Sequence, residues 1–253
     1  ENIHFFSSPY DFEVIDMLDS YMPAYKIGSG DISWHEIIIK MAKKDKPILL
    51  ATGASDIQEV IDSANAILKY NKQLVIMQCN TNYTGSVENF KYIALNVLQS
   101  YKVLFPDVIL GLSDHTPGHT TVIGAVALGA RVIEKHFTDD NDREGPDHPF
   151  SMNPQAWQEM VERSRELEAA LGPSIKKVED NEKDTAVLQR RCLRAAKDLP
   201  AGHILTADDI EVLRPAPKEA LKPVEKQNII GKRIRDAMVF GQHFTWNIID
   251  GVK

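Results

Sequence analysis

Short apolar runs alternate with longer amphipathic stretches over the first 172 residues. The apolar runs at 4–7, 24–27, 47–51, 74–78, 108–112 and 132–136 are rich in Ile, Leu and Val, as strands buried on both faces are. Between and after them, the patterns at 11–20, 34–43, 56–69, 88–101, 120–128 and 154–171 predict helices. Ser33 with Glu36, and Ser55 with Gln58, fit a capping box. Asn153 before Pro154 fits an N-cap followed by proline at the first helical position.

Strands that alternate with helices pair in parallel through right-handed crossovers. A doubly wound sheet and a barrel both satisfy that rule. Polar residues decide between them, because they gather just after several strands: Ser7 and Ser8, Lys26, Thr52 and Gly53, then Ser113, Asp114 and His115, then Glu134, Lys135 and His136. A barrel collects its strand ends at one face. No Gly-x-Gly-x-x-Gly fingerprint opens a helix, which argues against a dinucleotide fold.

The pattern changes after Gly172-Pro173. Residues 173–188 are polar and charged and read as a linker. Residues 189–253 then form a small second domain. In it, 192–196 reads as a strand, 199–202 as a turn, 206–210 as a capped helical turn, and 229–237 and 243–249 as β-like pieces.

Composition narrows the partners. With 36 acidic and 29 basic residues the net charge is -7, and no long basic run is present. Nucleic acid is therefore not expected as a partner. Cys79 and Cys192 are the only cysteines, without disulfide or metal-knuckle spacing, so a reducing, cytoplasmic location is expected. No apolar run reaches the roughly 18 residues of a membrane span. The sequence opens at Glu1 without an initiator Met, and an upstream segment is expected.

Candidate chemistry sits at the strand ends. His115 and His136 each follow an apolar strand, and in a barrel both imidazoles face one mouth. Two neutral imidazoles with open positions suit Mn2+ or a similar divalent ion; the plain alternative is that each histidine bonds a neighbouring loop. Lys26 within an apolar strand serves either as a cation for phosphate or carboxylate, as a Schiff-base amine, or as a strand-end lysine reaching solvent. Ser8, Ser29, Thr52 and Ser113 are small hydroxyl donors at four strand ends. Glu134 lies two residues before His136, on the same face of a strand; it either handles a proton or anchors an ion pair. The charged loop 139–149 reads equally as solvated surface or as a lid. By itself, Arg214 reads as a surface arginine.

Several strings together resemble the sialic acid synthase family, which includes legionaminic and pseudaminic acid synthases and spore-coat polysaccharide homologues. They are SSPY at 7–10, PAYKIGSG at 23–30, PILLATG at 47–53, GLSDHT at 111–116, GAVALG at 124–129, EKHFT at 134–138, GPD at 145–147 and SMNP at 151–154. The tail from about Arg191 resembles the family's antifreeze-like (SAF) domain, through DLPAG at 198–202, Leu205-Thr206, Arg214-Pro215 and IGK at 230–232. The resemblance implies a (β/α)8 TIM barrel on residues 1–172, here lacking its first two β/α units, followed by a β-rich SAF domain swapped onto a partner in a homodimer. It implies condensation of phosphoenolpyruvate with N-acetylmannosamine or a related amino-sugar aldehyde, giving a nine-carbon 2-keto acid and phosphate.

Residue by residue, the resemblance makes His115 and His136 the ligands of a divalent metal, Mn2+ first, with Mg2+ or Co2+ as alternatives. Ser8, Lys26 and Ser113 match phosphoenolpyruvate-binding positions. Tyr83, Asp147 and Glu134 match positions near the sugar or the reacting carbons, with Glu134 and Lys26 as the catalytic pair. Tyr10, Ser29 and Thr81 complete the expected substrate-binding set. Arg214 matches the SAF arginine that reaches a partner's site. Thr84 stands where many members have a proline, so the acceptor sugar is left open. A catalytically inactive truncated homologue, binding carbohydrate or assisting assembly, is the second expectation. A class I aldolase-like lyase using Lys26 is the third.

Overall fold

The computed structural model describes residues 3–251, which divide into two compact units at Gly172 and Pro173. In the first unit, strands β1 (Tyr25–Ile27), β2 (Ile48–Ala51), β3 (Leu74–Cys79), β4 (Ile109–Asp114) and β5 (Val132–Lys135) form one sheet in sequence order, every pair parallel. Helix α1 (Phe12–Leu18) precedes β1, the four crossovers carry α2 (His35–Ala42), α3 (Ile57–Leu68), α4 (Val97–Leu104) and α5 (Thr120–Ala127), and α6 (Pro154–Leu171) follows β5.

Alternation along each strand separates two apolar layers. Ile48, Leu50, Leu74, Ile76, Leu110 and Leu112 join the large core beneath the helices. Leu49, Val75 and Met77, at the intervening positions, form a smaller cluster on the other face with Ala24 and Val132. That second face is concave. Lys26 on β1 and Glu134 on β5 lie 3.1 Å apart, although those strands are the two ends of the sheet. A flat sheet, with strands about 4.8 Å apart, would separate its first and fifth strands by about 19 Å, beyond the reach of two side chains. The sheet is therefore rolled into part of a barrel, open on one side among the described residues.

The segment expected as the first strand, 4–7, is not a strand. The Lys26 amide donates to the Ser7 carbonyl at 3.2 Å, but Phe5 and Phe6 are exposed. Among the described residues the segment has a neighbour on one side only, and so gains too little burial to set up a ladder. The predicted helix at 88–101 is broken as well. A 3-10 turn occupies Val87–Tyr92, Ala94 takes φ 51°, and α4 starts at Val97. A left-handed residue cannot continue a right-handed helix.

The caps differ from expectation in two of three cases. Helix α2 begins after Trp34 without a side-chain cap, so Ser33 and Glu36 make no capping box. The box on α3 is one residue later than expected, Asp56 with Glu59, while Ser55 donates instead to the Thr52 carbonyl at 2.7 Å. Asn153 does cap α6, accepting from the Ala156 amide at 2.9 Å.

The second unit has its own core, including Leu193, Leu205, Ile210, Ile234, Phe244 and Ile249. Its sheet is one antiparallel pair, β6 (Cys192–Ala195) with β7 (Ile210–Leu213). Thr206 and Asp209 cap a 3-10 turn that leads directly into β7, a strand the sequence pattern did not disclose. The pieces at 229–237 and 243–249 make isolated bridges rather than strands, such as Ile204 with Arg233 and Ile234 with Ile249. Helix α7 (Lys183–Gln189) lies largely within the charged stretch 173–188, and α8 (Lys226–Ile229) follows β7. No helix among the described residues is long and apolar enough to cross a membrane.

Candidate active site

Parallel strands all finish at the same rim, and β4 and β5 finish in register. Ser113 pairs with Glu134, and Asp114 with Lys135. His115 and His136 are the next residues out. Their rings lie 5.1 Å apart between centroids. Tyr83, from the loop after β3, stacks 4.2 Å from the His115 ring and 5.7 Å from the His136 ring. Phe150 closes the far side, 5.1 Å from His136.

Each imidazole has one nitrogen tied down. His115 Nδ1 is 2.9 Å from the Asn80 carbonyl. A carbonyl only accepts, so Nδ1 carries the proton and Nε2 keeps its lone pair. His136 Nδ1 is 3.3 Å from Asp147 Oδ2, which fixes the same tautomer. Burial lowers the pKa of His115 from its ordinary value, against the Asn80 bond that favours the charged form. Burial and the neighbouring His115 lower that of His136, against Asp147. Both rings are thus held toward the neutral form, the state that ligates metals.

Lys26 and Glu134 lie on the concave face of the same sheet. Lys26 is buried, and Ser113 Oγ donates to Glu134 Oε1 at 3.3 Å. A cavity of about 350 Å3 opens beside the pair, with Ser8, Leu49, Val132 and Trp157 among its walls. Ser29 and Thr81 converge elsewhere on the rim, over Gly53: a Cβ there would stand 2.9 Å from Ser29 Oγ and 1.9 Å from Thr81 Oγ1. Ser29 Oγ accepts from the Gly53 amide at 2.9 Å. Thr52, read as a fourth strand-end hydroxyl, is instead committed to the Met77 carbonyl and to Tyr101. Tyr10 is 69% exposed.

The loop 139–149 is folded back on itself rather than loose. Asn141 Nδ2 donates to the carbonyls of His148 and Ser151, both at 2.8 Å, and Thr138 Oγ1 is 2.7 Å from His148 Nδ1. That fold delivers Asp147 to His136. Arg214 belongs to the second unit, where its Nε donates to the Gln189 carbonyl at 2.5 Å. Sequence reasoning missed the Asn80 carbonyl and Phe150; the first has no side-chain signal at all. It also quoted Asp114 and Lys135 within motifs without assigning them a task.

Residues 1–176 match the NeuB family. The chain belongs to the NeuB family. Residues 190–249 match the SAF domain. An N,N'-diacetyllegionaminic acid synthase of Campylobacter jejuni is 34% identical over 235 residues, covering 91% of this chain and 69% of the relative. The human N-acetylneuraminate-9-phosphate synthase is 31% identical, covering 92% and 64%. Among solved structures, the spore coat polysaccharide biosynthesis protein SpsE of Bacillus subtilis is similar with a TM-score of 0.63 and 28% identity, over 99% of this chain and 74% of that one. The chain spans between 63% and 70% of the length of the curated relatives it matches.

A metal site in this NeuB chain has to be judged on its donors. Among the described residues no group of three His, Cys, Asp or Glu side chains is placed to hold a metal ion. Two neutral imidazoles with free Nε2 lone pairs are nonetheless a fitting partial set, provided that water or substrate oxygens supply the remaining positions.

Proposed function

We propose that this NeuB-family chain acts as a nonulosonate synthase, joining phosphoenolpyruvate to the open-chain aldehyde of N-acetylmannosamine or a related amino sugar. The observation that carries the reading is the convergence, on one concave face, of the neutral His115–His136 pair and the Lys26–Glu134 pair. Relatives named as sialic, legionaminic and pseudaminic acid synthases support the reaction class.

In this reading His115 and His136 hold a divalent cation, Mn2+ first, with Mg2+ or Co2+ as alternatives. Held there, such an ion would supply Lewis acidity toward the aldehyde oxygen of the sugar. Lys26, with the hydroxyls of Ser8 and Ser113, holds the carboxylate and phosphate of phosphoenolpyruvate, so that positioning and fixed charge supply much of the rate. Carbon 3 of the enol forms a bond to the aldehyde carbon as the carbonyl π pair moves onto the aldehyde oxygen. Water adds at the electron-poor carbon 2, and one of its protons passes to Glu134 and on to that oxygen, which becomes the product hydroxyl. The carbon 2–oxygen bond to phosphate then breaks as the remaining hydroxyl proton leaves with the phosphate, and the 2-keto acid remains. Tyr83 and Asp147 line the sugar side, while Tyr10, Ser29 and Thr81 border the substrate more distantly. Lys26 is engaged in an ion pair, which favours holding anions over forming a Schiff base. The reading includes a cytoplasmic homodimer in which a partner's SAF domain brings its Arg214 to the sugar.

A five-stranded, open sheet favours a second reading: a carbohydrate-binding or assembly role without turnover. One assay separates the two. Phosphate release from phosphoenolpyruvate and N-acetylmannosamine is followed with MnCl2, for this chain and for a chain extended by two upstream β/α units. Metal-dependent phosphate release with a stoichiometric 2-keto acid supports synthesis. Its absence in both proteins, across N-acetylmannosamine and related N-acylated amino-sugar aldehydes, overturns it.

A further inference from the structure

Behind the imidazoles, on the opposite face of the same two strands, lies a buried ion pair that the reaction does not use. Asp114 and Lys135 are direct partners in the β4–β5 ladder. Their side chains are 0% and 1% exposed, and Lys135 Nζ is 2.8 Å from Asp114 Oδ2. The same carboxylate oxygen accepts from the hydroxyls of Thr116 and Thr121, each at 2.7 Å. The Thr116 amide donates to Asp114 Oδ1 at 3.3 Å, and Lys135 Nζ also donates to the Thr116 carbonyl.

Strand alternation explains the placement. Ser113, His115, Glu134 and His136 share the face toward the site, so Asp114 and Lys135 point away from it. The residues on both sides of His115 are therefore anchored to one ammonium group, which itself stands beside His136 in the chain. A buried ion pair is a poor device for stability alone, because well-packed apolar residues of similar volume serve as well or better. What this network adds is fixed geometry: it leaves His115 little freedom to shift against the Asn80 carbonyl or against His136.

We propose that Asp114 and Lys135 are positioning residues that hold the His115 ring in its Nδ1-protonated orientation toward His136. The benefit to metal binding rests on the function proposed above; the positioning does not. Groups hydrogen-bonded to a metal ligand typically change metal affinity by about 10- to 100-fold when removed; Asp114 and Lys135 act through the backbone on either side of His115, so the lower end of that range is expected.

The test compares the parent chain with Asp114→Asn combined with Lys135→Met, which leaves no buried charge unpaired, and with Thr116→Val, a milder break in the same network. Circular dichroism and thermal melting establish folding. Imidazole 15N chemical shifts report the His115 tautomer, and Mn2+ titration by electron paramagnetic resonance reports affinity. The parent is expected to show one His115 tautomer, and each folded variant a mixture, with Mn2+ affinity at least 10-fold weaker in the double variant. A folded variant that keeps the parent's single tautomer overturns the inference, as does a mixed tautomer in the parent. If the double variant fails to fold, Thr116→Val alone decides on the same readout. If the parent binds no Mn2+ yet shows one tautomer that the variants lose, the positioning stands and the metal-dependent reading falls.

Discussion

Lys26 and Glu134 meet at 3.1 Å from opposite ends of a five-stranded sheet. The contact is unequal: the lysine side chain is 11% exposed and the glutamate 42%. Removing either partner therefore has different consequences. Glu134→Ala leaves a buried ammonium without its carboxylate and is expected to cost about 1–3 kcal/mol of stability. Lys26→Met leaves a carboxylate that water still reaches, and is expected to cost less than about 1 kcal/mol. Urea unfolding of the two variants checks the order. Equal costs would mean that Lys26 finds another partner.

For turnover, His115→Ala and His136→Ala are both expected to abolish metal-dependent activity and to weaken Mn2+ binding beyond detection in titrations. Asp147→Asn is expected to be milder, about 10-fold in affinity, because it removes the carboxylate charge beside His136 Nδ1 but keeps an amide oxygen able to accept from it. Metal affinity unchanged in His115→Ala would remove that ring from the ligand set.

Gly53 is where three loops touch. A methyl group there would stand 1.9 Å from Thr81 Oγ1, 2.9 Å from Ser29 Oγ and 3.1 Å from Cys79 Sγ. Gly53→Ala must push the Thr81 side chain aside and strain the loops after β1, β2 and β3. The expected destabilisation is about 1–3 kcal/mol, the usual cost of overpacking, with activity reduced even where the protein stays folded. Thermal melting and a steady-state assay of the same variant check both halves.

The second unit carries an acid-sensitive joint. Asp209 is 1% exposed, 2.8 Å from Lys197 Nζ, and accepts from His203, the Thr206 amide and the Thr206 hydroxyl at 2.8 Å each. Burial alone would raise its pKa; hydrogen bonds from Lys197, His203 and Thr206 outweigh burial and hold it well below the ordinary 3.8. A group whose pKa is lower folded than unfolded adds stability that is complete above the unfolded value and is lost as pH falls toward the folded one. Stability of this unit is therefore expected to decline as pH drops below about 4, the unfolded Asp value. Asp209→Asn should lower stability at pH 7 and flatten that decline. Amide exchange at Thr206, followed across pH 3–7 with the intrinsic rate corrected, measures it.

Much of this was visible in the chain before any coordinates. The apolar runs at 47–51 and 74–78 mark strands buried on both sides, and strands occupy Ile48–Ala51 and Leu74–Cys79. Polar residues just past β4 and β5 point to the rim where His115 and His136 meet. The failures have local causes. The run at 4–7 is apolar enough for a strand but lacks a second neighbour, which composition does not disclose. Ser55 with Gln58 and Asp56 with Glu59 both fit a capping box by spacing alone, and the fold uses the second. Tyr83 came from family resemblance, and its stacking on both imidazoles depends on a loop whose path periodicity does not encode. Asn80 contributes a backbone oxygen, which any residue type would supply.

The parallel sheet has a consequence for how such a protein changes over time. Its chemistry-bearing strand ends sit in register on a rigid frame, whereas Tyr83 hangs on residues 80–86, outside any strand. Rewriting the tip of that loop, beyond the Asn80 carbonyl that holds His115, alters the shape of the rim while leaving the strands in place. On the function proposed above, acceptor preference can therefore drift with the loop tip while the strand-end residues beneath it stay as they are.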